Sequence, residues 1–194
     1  MDSDKGFPKQ RKKRRAPKKI TQSYLENAGL YYLERYASSA ANFRRIMRRK
    51  IDRSAKYHEQ EADDFYPMLE SIITRYRESG LLNDELYSFS KVRSLRQRGN
   101  SERMIYAKLI AKGLNTEQIA QALEEYARDQ NVDSTADIEY AAAEKYARKR
   151  RLGPYRQPQD RERYEKDMAA MARAGFSFDI VKSVLGDKDA LEER

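Results

Sequence analysis

Leu109–Leu123 reads LIAKGLNTEQIAQAL, and Met171–Leu185 reads MARAGFSFDIVKSVL. Aligned on their glycines, Gly113 on Gly175 at an offset of 62, the two stretches share an apolar pattern. Leu109 falls on Met171, Leu114 on Phe176, Ile119 on Val181 and Leu123 on Leu185, with Tyr106 on Met168 just upstream. Apolar residues at three- and four-residue spacing flank a glycine in each copy, the pattern of two amphipathic helices separated by a C′ glycine. Self-similarity of this kind marks tandem helical units, each burying little alone and stabilised through its neighbours.

The helical pattern continues on both sides. Asp84–Arg98 carries Leu86, Phe89, Val92 and Leu95 behind Asn83 as N-cap, and Ser101–Lys112 pairs Ile105 with Leu109. A third helix opens with Asn115 and Gln118 in capping-box positions and should bury Ile119, Leu123 and Tyr126. The helix ending at Arg96–Arg98 corresponds loosely to one ending at Arg148–Arg151. Three more helices are predicted in the N-terminal third, Gln22–Ala37, Ala40–Arg53 and Asp63–Ser79, with Pro67 tolerated in the first turn of the last. Gly80, Gly99, Gly113, Gly153, Gly175 and Gly186 each fall where an apolar periodic segment ends. The expected fold is all-α: three tandem three-helix repeats, elongated and modular, over 20–79, 80–132 and 133–187. A disordered basic tail (1–19) and a short C-terminal tail (188–194) flank them.

Composition agrees and removes whole classes of chemistry. Eight Gly and five Pro in 194 residues favour helix, and 37% charged residues leave room only for narrow apolar stripes. The chain has no Cys and one His, so disulfides, Cys-based zinc sites and a Ser–His relay are excluded or starved. His58, within SAKYHEQEADD, reads as a solvated loop histidine rather than a metal ligand beside Glu59, Glu61 or Asp63, and Asp63–Asp64 read as helix N-terminal charges. No phosphate-cradling glycine loop is present. No apolar run approaches the roughly 18 residues of a membrane span, and no apolar region follows the charged N-terminus as in a secretory signal. The expectation is a cytoplasmic protein that is not an enzyme, with no cofactor and no metal.

Charge is where the chain becomes specific. The net charge is +9, of which residues 1–19, with nine Lys/Arg against Asp2 and Asp4, supply +7. Arg11, Lys12, Lys13, Arg14 and Arg15 form the densest run, suited to cheap phosphate contact through counterion release or to solubility alone. Within FRRIMRRKIDR (Phe43–Arg53), Phe43, Ile46, Met47 and Ile51 gather on one helical face, with Arg44, Arg45, Arg48 and Arg49 opposite and Lys50 beside them. An ordinary solvated face would intersperse acids, and here only Asp52 does so, which favours docking to phosphates or carboxylates. A second patch, Lys145–Arg156, contains Arg148, Lys149, Arg150 and Arg151 with Tyr146 and Tyr155 interleaved. It reads equally as phosphate contact with stacking or as complement to a helix C-terminus. Most of the 14 Tyr read as core or rim residues. Glu124–Glu139 is acidic, so charge alternates along the molecule. LIAKGLNTEQIAQAL imitates the start of a helix-turn-helix, but Glu124–Arg128 continues the helix with two acids, against duplex reading.

Three stretches taken together resemble the RecX family of RecA regulators. They are YYLERYASSAANFRRIMRRKI (Tyr31–Ile51); GLLND (Gly80–Asp84) with RGNSERMIYAKLIAKGL (Arg98–Leu114); and YARKRRLGPY (Tyr146–Tyr155) with ARAGFSFDIVKSVL (Ala172–Leu185). The likeness spans about Tyr24–Leu185 and implies a three-repeat helical protein bound in the groove of the RecA–DNA filament. Such a protein restrains strand exchange, ATP hydrolysis and the coprotease role of RecA, in DNA repair and the SOS response. The resemblance carries over only basic and loop positions: Arg44, Arg45, Arg48, Arg49, Lys50, Lys112 before Gly113, and Arg148–Arg151. The long basic tail and the charged linker Asp52–Asp63 depart from the family pattern. The implied partners are the RecA filament and single- or double-stranded DNA, engaged by a monomer away from any membrane. The alternative is a general helical DNA-binding protein without a specific protein partner.

Overall fold

The computed structural model describes residues 16–132, 134–157 and 161–186. Nine helices are present among them: α1 (Gln22–Leu33), α2 (Ala40–His58), α3 (Tyr66–Glu78), α4 (Asp84–Gln97), α5 (Glu102–Ile110), α6 (Thr116–Asp129), α7 (Thr135–Arg150), α8 (Tyr164–Arg173) and α9 (Phe178–Leu185). No strand occurs in the described residues. Side-chain caps set most of the starts. Thr21, Ser39, Asn83, Ser101, Asn115, Ser134 and Ser177 each accept a backbone N–H of the first turn. At α6 the capping box is complete, with Asn115 N–H donating to Gln118 at 3.0 Å and Gln118 N–H to Asn115 at 2.8 Å.

The helices group by three around three separate cores. Leu25, Phe43, Met47, Ile51, Leu69, Ile72 and Ile73 fill the first; Val92, Ile105, Leu109, Leu114 and Ile119 the second; Ala143, Met171, Phe176, Val181 and Leu185 the third. Every residue pair in the 62-residue alignment therefore occupies the same place in its own unit, buried or half-buried against that core. The architecture is three tandem three-helix repeats. On α4 the buried stripe is Ser88, Val92 and Arg96 with Tyr87, so Leu86 faces outward at 64% exposure instead of joining the core. An i, i+4 row ending in an arginine carries no apolar signature, so the pattern of leucines points to the wrong residue.

Three features of the first unit differ from expectation. α1 stops at Leu33, before Ala37, because Tyr36 and Ala37 are exposed and offer no buried apolar residue to extend it. α2 runs through His58, five residues past Arg53, since Ser54 and Ala55 are buried on its inner face. It ends at Glu59 in the left-handed region, which shortens the charged linker and puts His58 on a helix. Finally, residues 16–20 are held rather than free. Ile20 is buried in the first core, Ser54 Oγ donates to the Lys18 carbonyl at 2.7 Å, and His58 Nε2 lies 2.9 Å from the Pro17 carbonyl. Arg11, Lys12, Lys13, Arg14 and Arg15, like residues 188–194, lie outside the described residues.

Consecutive units meet through the same joint, built twice. Ser39 Oγ accepts from Asn42 N–H, capping α2, and donates to the Lys112 carbonyl of the second unit at 2.5 Å. Ser101 Oγ accepts from Met104 N–H, capping α5, and donates to the Ala174 carbonyl of the third unit at 2.6 Å. The next residue repeats the theme: Ala40 N–H donates to Asp84 at 2.8 Å, and Glu102 N–H to Glu139 at 3.1 Å. Gly113 and Gly175 follow the accepting carbonyls with φ of 81° and 93°, a conformation glycine adopts without penalty. A β-carbon on Gly113 would stand 2.5 Å from Ala41 Cβ, and one on Gly175 would stand 2.6 Å from Ser101 Oγ and 3.1 Å from Arg103 Cβ. Residues 39, 40, 41, 112 and 113 thus recur at 101, 102, 103, 174 and 175, all offset by 62.

Candidate functional site

The cationic face of α2 is built by a helix whose inner side is apolar. Phe43, Met47 and Ile51 are essentially without exposure, so the arginines between them are forced outward. Their neighbours then divide them. Arg44 makes a bidentate pair with Glu70 of α3, at 2.7 and 2.8 Å. The hydrogen-bonded carboxylate raises the Arg44 pKa, and the guanidinium lowers that of Glu70. Arg48 lies over the Tyr66 ring, 3.9 Å from its centroid, and Lys50 reaches the Tyr24 hydroxyl on the opposite flank at 3.5 Å. Arg45 donates to Asn42 at 2.6 Å from an exposed position, and Arg49 is exposed.

What faces solvent is therefore a row, and the row is longer than the sequence reading allowed. Arg45, Arg49, Arg53 and Lys56 follow one another at i+4, i+4 and i+3, all exposed. The spacing from Arg45 and Arg49 leads to Arg53, the last residue of the expected helix, and reaches Lys56 only because α2 continues past it. Asp52, the acid within the row, accepts from the Tyr66 hydroxyl at 2.7 Å, which also raises that phenol's pKa. Lys112 stands by the first turn of α2, its side chain exposed and its carbonyl taken by Ser39.

The second patch is less open than its sequence suggests. Arg148 pairs with Glu144 at 2.8 Å, and the Tyr155 hydroxyl donates to the same carboxylate oxygen at 3.0 Å. These bonds lower the Glu144 pKa. Arg156 turns inward to Asp167 at 2.7 Å. Tyr146 packs on Phe176, 5.6 Å between centroids, and both Tyr146 and Tyr155 are half-buried against the third core, so neither is an open stacking platform. Arg150 lies 5.4 Å from the Tyr146 ring, while Lys149 and Arg151 are exposed, Arg151 as a left-handed C-cap. The two basic patches sit on different units, the first and the third.

Between the second and third units lies a cleft lined by Glu102, Tyr106, Leu123, Glu124, Arg128 and Ile138, among others. Burial, Glu102 and Glu124 raise the pKa of the Tyr106 hydroxyl there. Among the described residues no cluster of three or more His, Asp or Glu could hold a metal ion, and no helix is long and apolar enough to cross a membrane.

Comparison with known proteins brings these features together. The family model described as RecX, second three-helix domain, matches residues 83–123. Regulatory protein RecX of Myxococcus xanthus (strain DK1622) is 42% identical over 195 residues, covering 98% of this chain and 100% of the relative. Regulatory protein RecX of Agrobacterium fabrum (strain C58) is 32% identical over 164 residues, covering 84% of this chain and 82% of its own length. A crystal structure of regulatory protein RecX superimposes with a TM-score of 0.58 at 22% identity, over 84% of this chain and 70% of the other. The crystal structure of RecX from Lactobacillus salivarius gives 0.58 at 23% identity, over 88% and 96%. At these identities the two crystal structures speak for the fold.

Proposed function

The chain belongs to the RecX family, and on that premise we propose that it binds the RecA–DNA filament and negatively modulates the recombinase, ATPase and coprotease activities of RecA. The observation that carries this reading is the duplicated joint. Both joints pair a capping serine hydroxyl with the carbonyl before a glycine and the next backbone N–H with a carboxylate of the following unit, so consecutive units meet through the same kind of contact. A body that repeats one kind of contact between its units suits a partner that is itself a repeating polymer. The charge pattern supports it too: exposed cations on the first and third units meet phosphates or carboxylates, while the cleft by Glu102 and Glu124 suits a protein surface.

The unit boundaries in this reading are 20–79, 80–132 and 133–187. The contacts to filament or nucleic acid are Arg45, Arg49, Lys112, Lys149, Arg150 and Arg151, with Arg11–Arg15 adding unspecific phosphate contact. Arg44, Arg48, Lys50 and Arg148 contribute from their internal partners. The protein is a cytoplasmic, monomeric binding protein without catalysis of its own. A general DNA-binding role without a protein partner is the competing reading, favoured by the exposed row on α2.

One assay separates them: the affinity of the full chain for RecA-coated single-stranded DNA and for the same DNA bare, at one salt concentration. The regulator reading expects clear preference for the coated strand. Equal affinities, or preference for bare DNA, would transfer the protein to the competing reading.

A further inference from the structure

The exposed row on α2 does not end in empty solvent. Its last cation, Lys56, is followed by Tyr57, which is 57% exposed and has no place in the core. The next residue, His58, packs edge-on against the Tyr57 ring at 4.9 Å between centroids, with the rings 82° apart, and its Nε2 reaches the Pro17 carbonyl. His58 therefore fixes two things at once, the attitude of an exposed aromatic ring and the path of residues 16–20. That path is also tied by Ser54 to the Lys18 carbonyl, which brings the exposed Lys18 and Lys19 alongside the C-terminal turns of α2.

From this arrangement we infer that α2 and the segment pinned against it form a track for single-stranded nucleic acid. Cations hold the backbone, and Tyr57 is a platform on which a base stacks. The chemistry distinguishes this ligand from others. Four cations about one helical turn apart rise about 4.5 to 6 Å per step, a single file suited to one phosphodiester strand. A protein interface would be expected to carry an apolar centre with cations on its rim, whereas no exposed apolar residue interrupts this row before Tyr57, and the acid within it, Asp52, is held by the Tyr66 hydroxyl at 2.7 Å. A bare aromatic beside a cationic row is the combination that single-strand binders use, because stacking tolerates any base but needs it unpaired. Glu59 and Glu61, exposed just beyond, bound the track at that end by repelling phosphates. His58 and Ser54 are positioning residues, acting through Tyr57 and Lys18.

This inference rests on the proposed function only for the presence of nucleic acid in the partner, and its test contains no RecA. Binding of the full chain to a short fluorescein-labelled oligothymidylate, and to a duplex of equal length, is followed by anisotropy across a salt series. Tyr57→Leu should weaken single-strand binding about fivefold or more while Tyr57→Phe does not, and should leave duplex affinity in place. Arg49→Ala with Arg53→Ala should lower the magnitude of the log–log salt slope on the single strand by about 1.4. His58→Ala should reproduce part of the Tyr57→Leu loss with the helical circular dichroism unchanged. A Tyr57→Leu protein that binds the single strand as tightly as the parent, or loses equally on duplex, would overturn the platform. Competition by polyglutamate as effective as by unlabelled oligothymidylate would reassign the row to an acidic protein surface. Inhibition of RecA by the same variants is measured separately. Intact inhibition with no stacking effect removes the track alone, and intact stacking without inhibition removes the regulator reading alone.

Discussion

The joint between the first and second units and the joint between the second and third use the same backbone parts and different charges. In both, a serine caps a helix and reaches a carbonyl of the next unit, and a carboxylate of that unit accepts the following N–H. At the first joint, Asp84 comes from the first turn of α4, and its cation, Arg77, is 58% exposed and 3.9 Å away. At the second, Glu139 comes from the second turn of α7 and pairs with Arg96, whose side chain is 4% exposed and also reaches Glu102 at 3.4 Å. The hydrogen-bonding pattern recurs, while the ion pair beside it is exposed in one joint and buried in the other. The second joint therefore buries its ion pair where the first leaves its pair exposed.

Arg96→Ala is the strongest way to break that difference. It leaves Glu139 largely buried without its cation, which should cost about 3 kcal/mol of unfolding free energy. Arg77→Ala at the first joint should stay within about 0.5 kcal/mol, as for an exposed pair. Urea denaturation followed by circular dichroism reads both, and equal losses would erase the distinction.

The glycines come next. Gly113→Ala and Gly175→Ala should each destabilise by about 2 kcal/mol, from the left-handed backbone plus a close contact. Gly113→Ala should be the worse of the two. Its β-carbon meets Ala41 Cβ, which cannot rotate away, whereas that of Gly175 first meets the Ser101 hydroxyl, which can. The reverse order in the same denaturation series would mean that α5 is the more rigidly placed helix.

How much of this was readable from sequence depends on what kind of side chain carries it. The units are legible because Leu109 and Met171, or Ile119 and Val181, are apolar residues obeying a helical period, and burial follows directly from that. The joints recur at the same offset and yet are silent. Ser39 and Ser101 read as ordinary caps, and nothing in a serine announces that its hydroxyl has a second partner 73 residues away. Arg96 is invisible for a related reason: a charged residue on a buried stripe looks like a surface residue until its carboxylates are seen. On α2 the cationic face is legible as a whole, but its division is not, because Glu70 and Tyr66 come from another helix. The continuation past Arg53 to Lys56 and Tyr57 is hidden by Ser54 and Ala55, which are buried without being apolar enough to extend the pattern.

Removing the joint hydroxyls one at a time is a milder probe. Ser39→Ala and Ser101→Ala should each cost about 1 kcal/mol, losing a cap and an inter-unit hydrogen bond together. Amide exchange should accelerate at the first turn of α2 in one variant and of α5 in the other. Exchange unchanged on the partner unit's side, near Gly113 or Gly175, would show that the serines cap without joining.

The smallest effect distinguishes the units by acid. In the first unit the Arg75 and Arg44 hydrogen bonds lower the pKa values of Glu26 and Glu70, and in the third Arg148 lowers that of Glu144. A lowered carboxylate pKa stabilises above the unfolded value, about 4.3, and the stabilisation is lost as pH falls through the folded value. Residue-resolved exchange on descending below about pH 4.3 should therefore loosen the first and third units by a small margin before the second. Loosening of the second unit first would reverse the assignment.

Regulation of a RecA filament by this tandem of jointed units is read out by RecA-catalysed ATP hydrolysis on single-stranded DNA. The full chain is titrated in at fixed salt, beside the Arg96→Ala variant. Hydrolysis should fall as the parent protein is added, and the variant, where folded, should need a higher concentration because its second joint has lost the Arg96–Glu139 pair. Hydrolysis that stays constant while the protein is shown to occupy the filament would contradict such regulation.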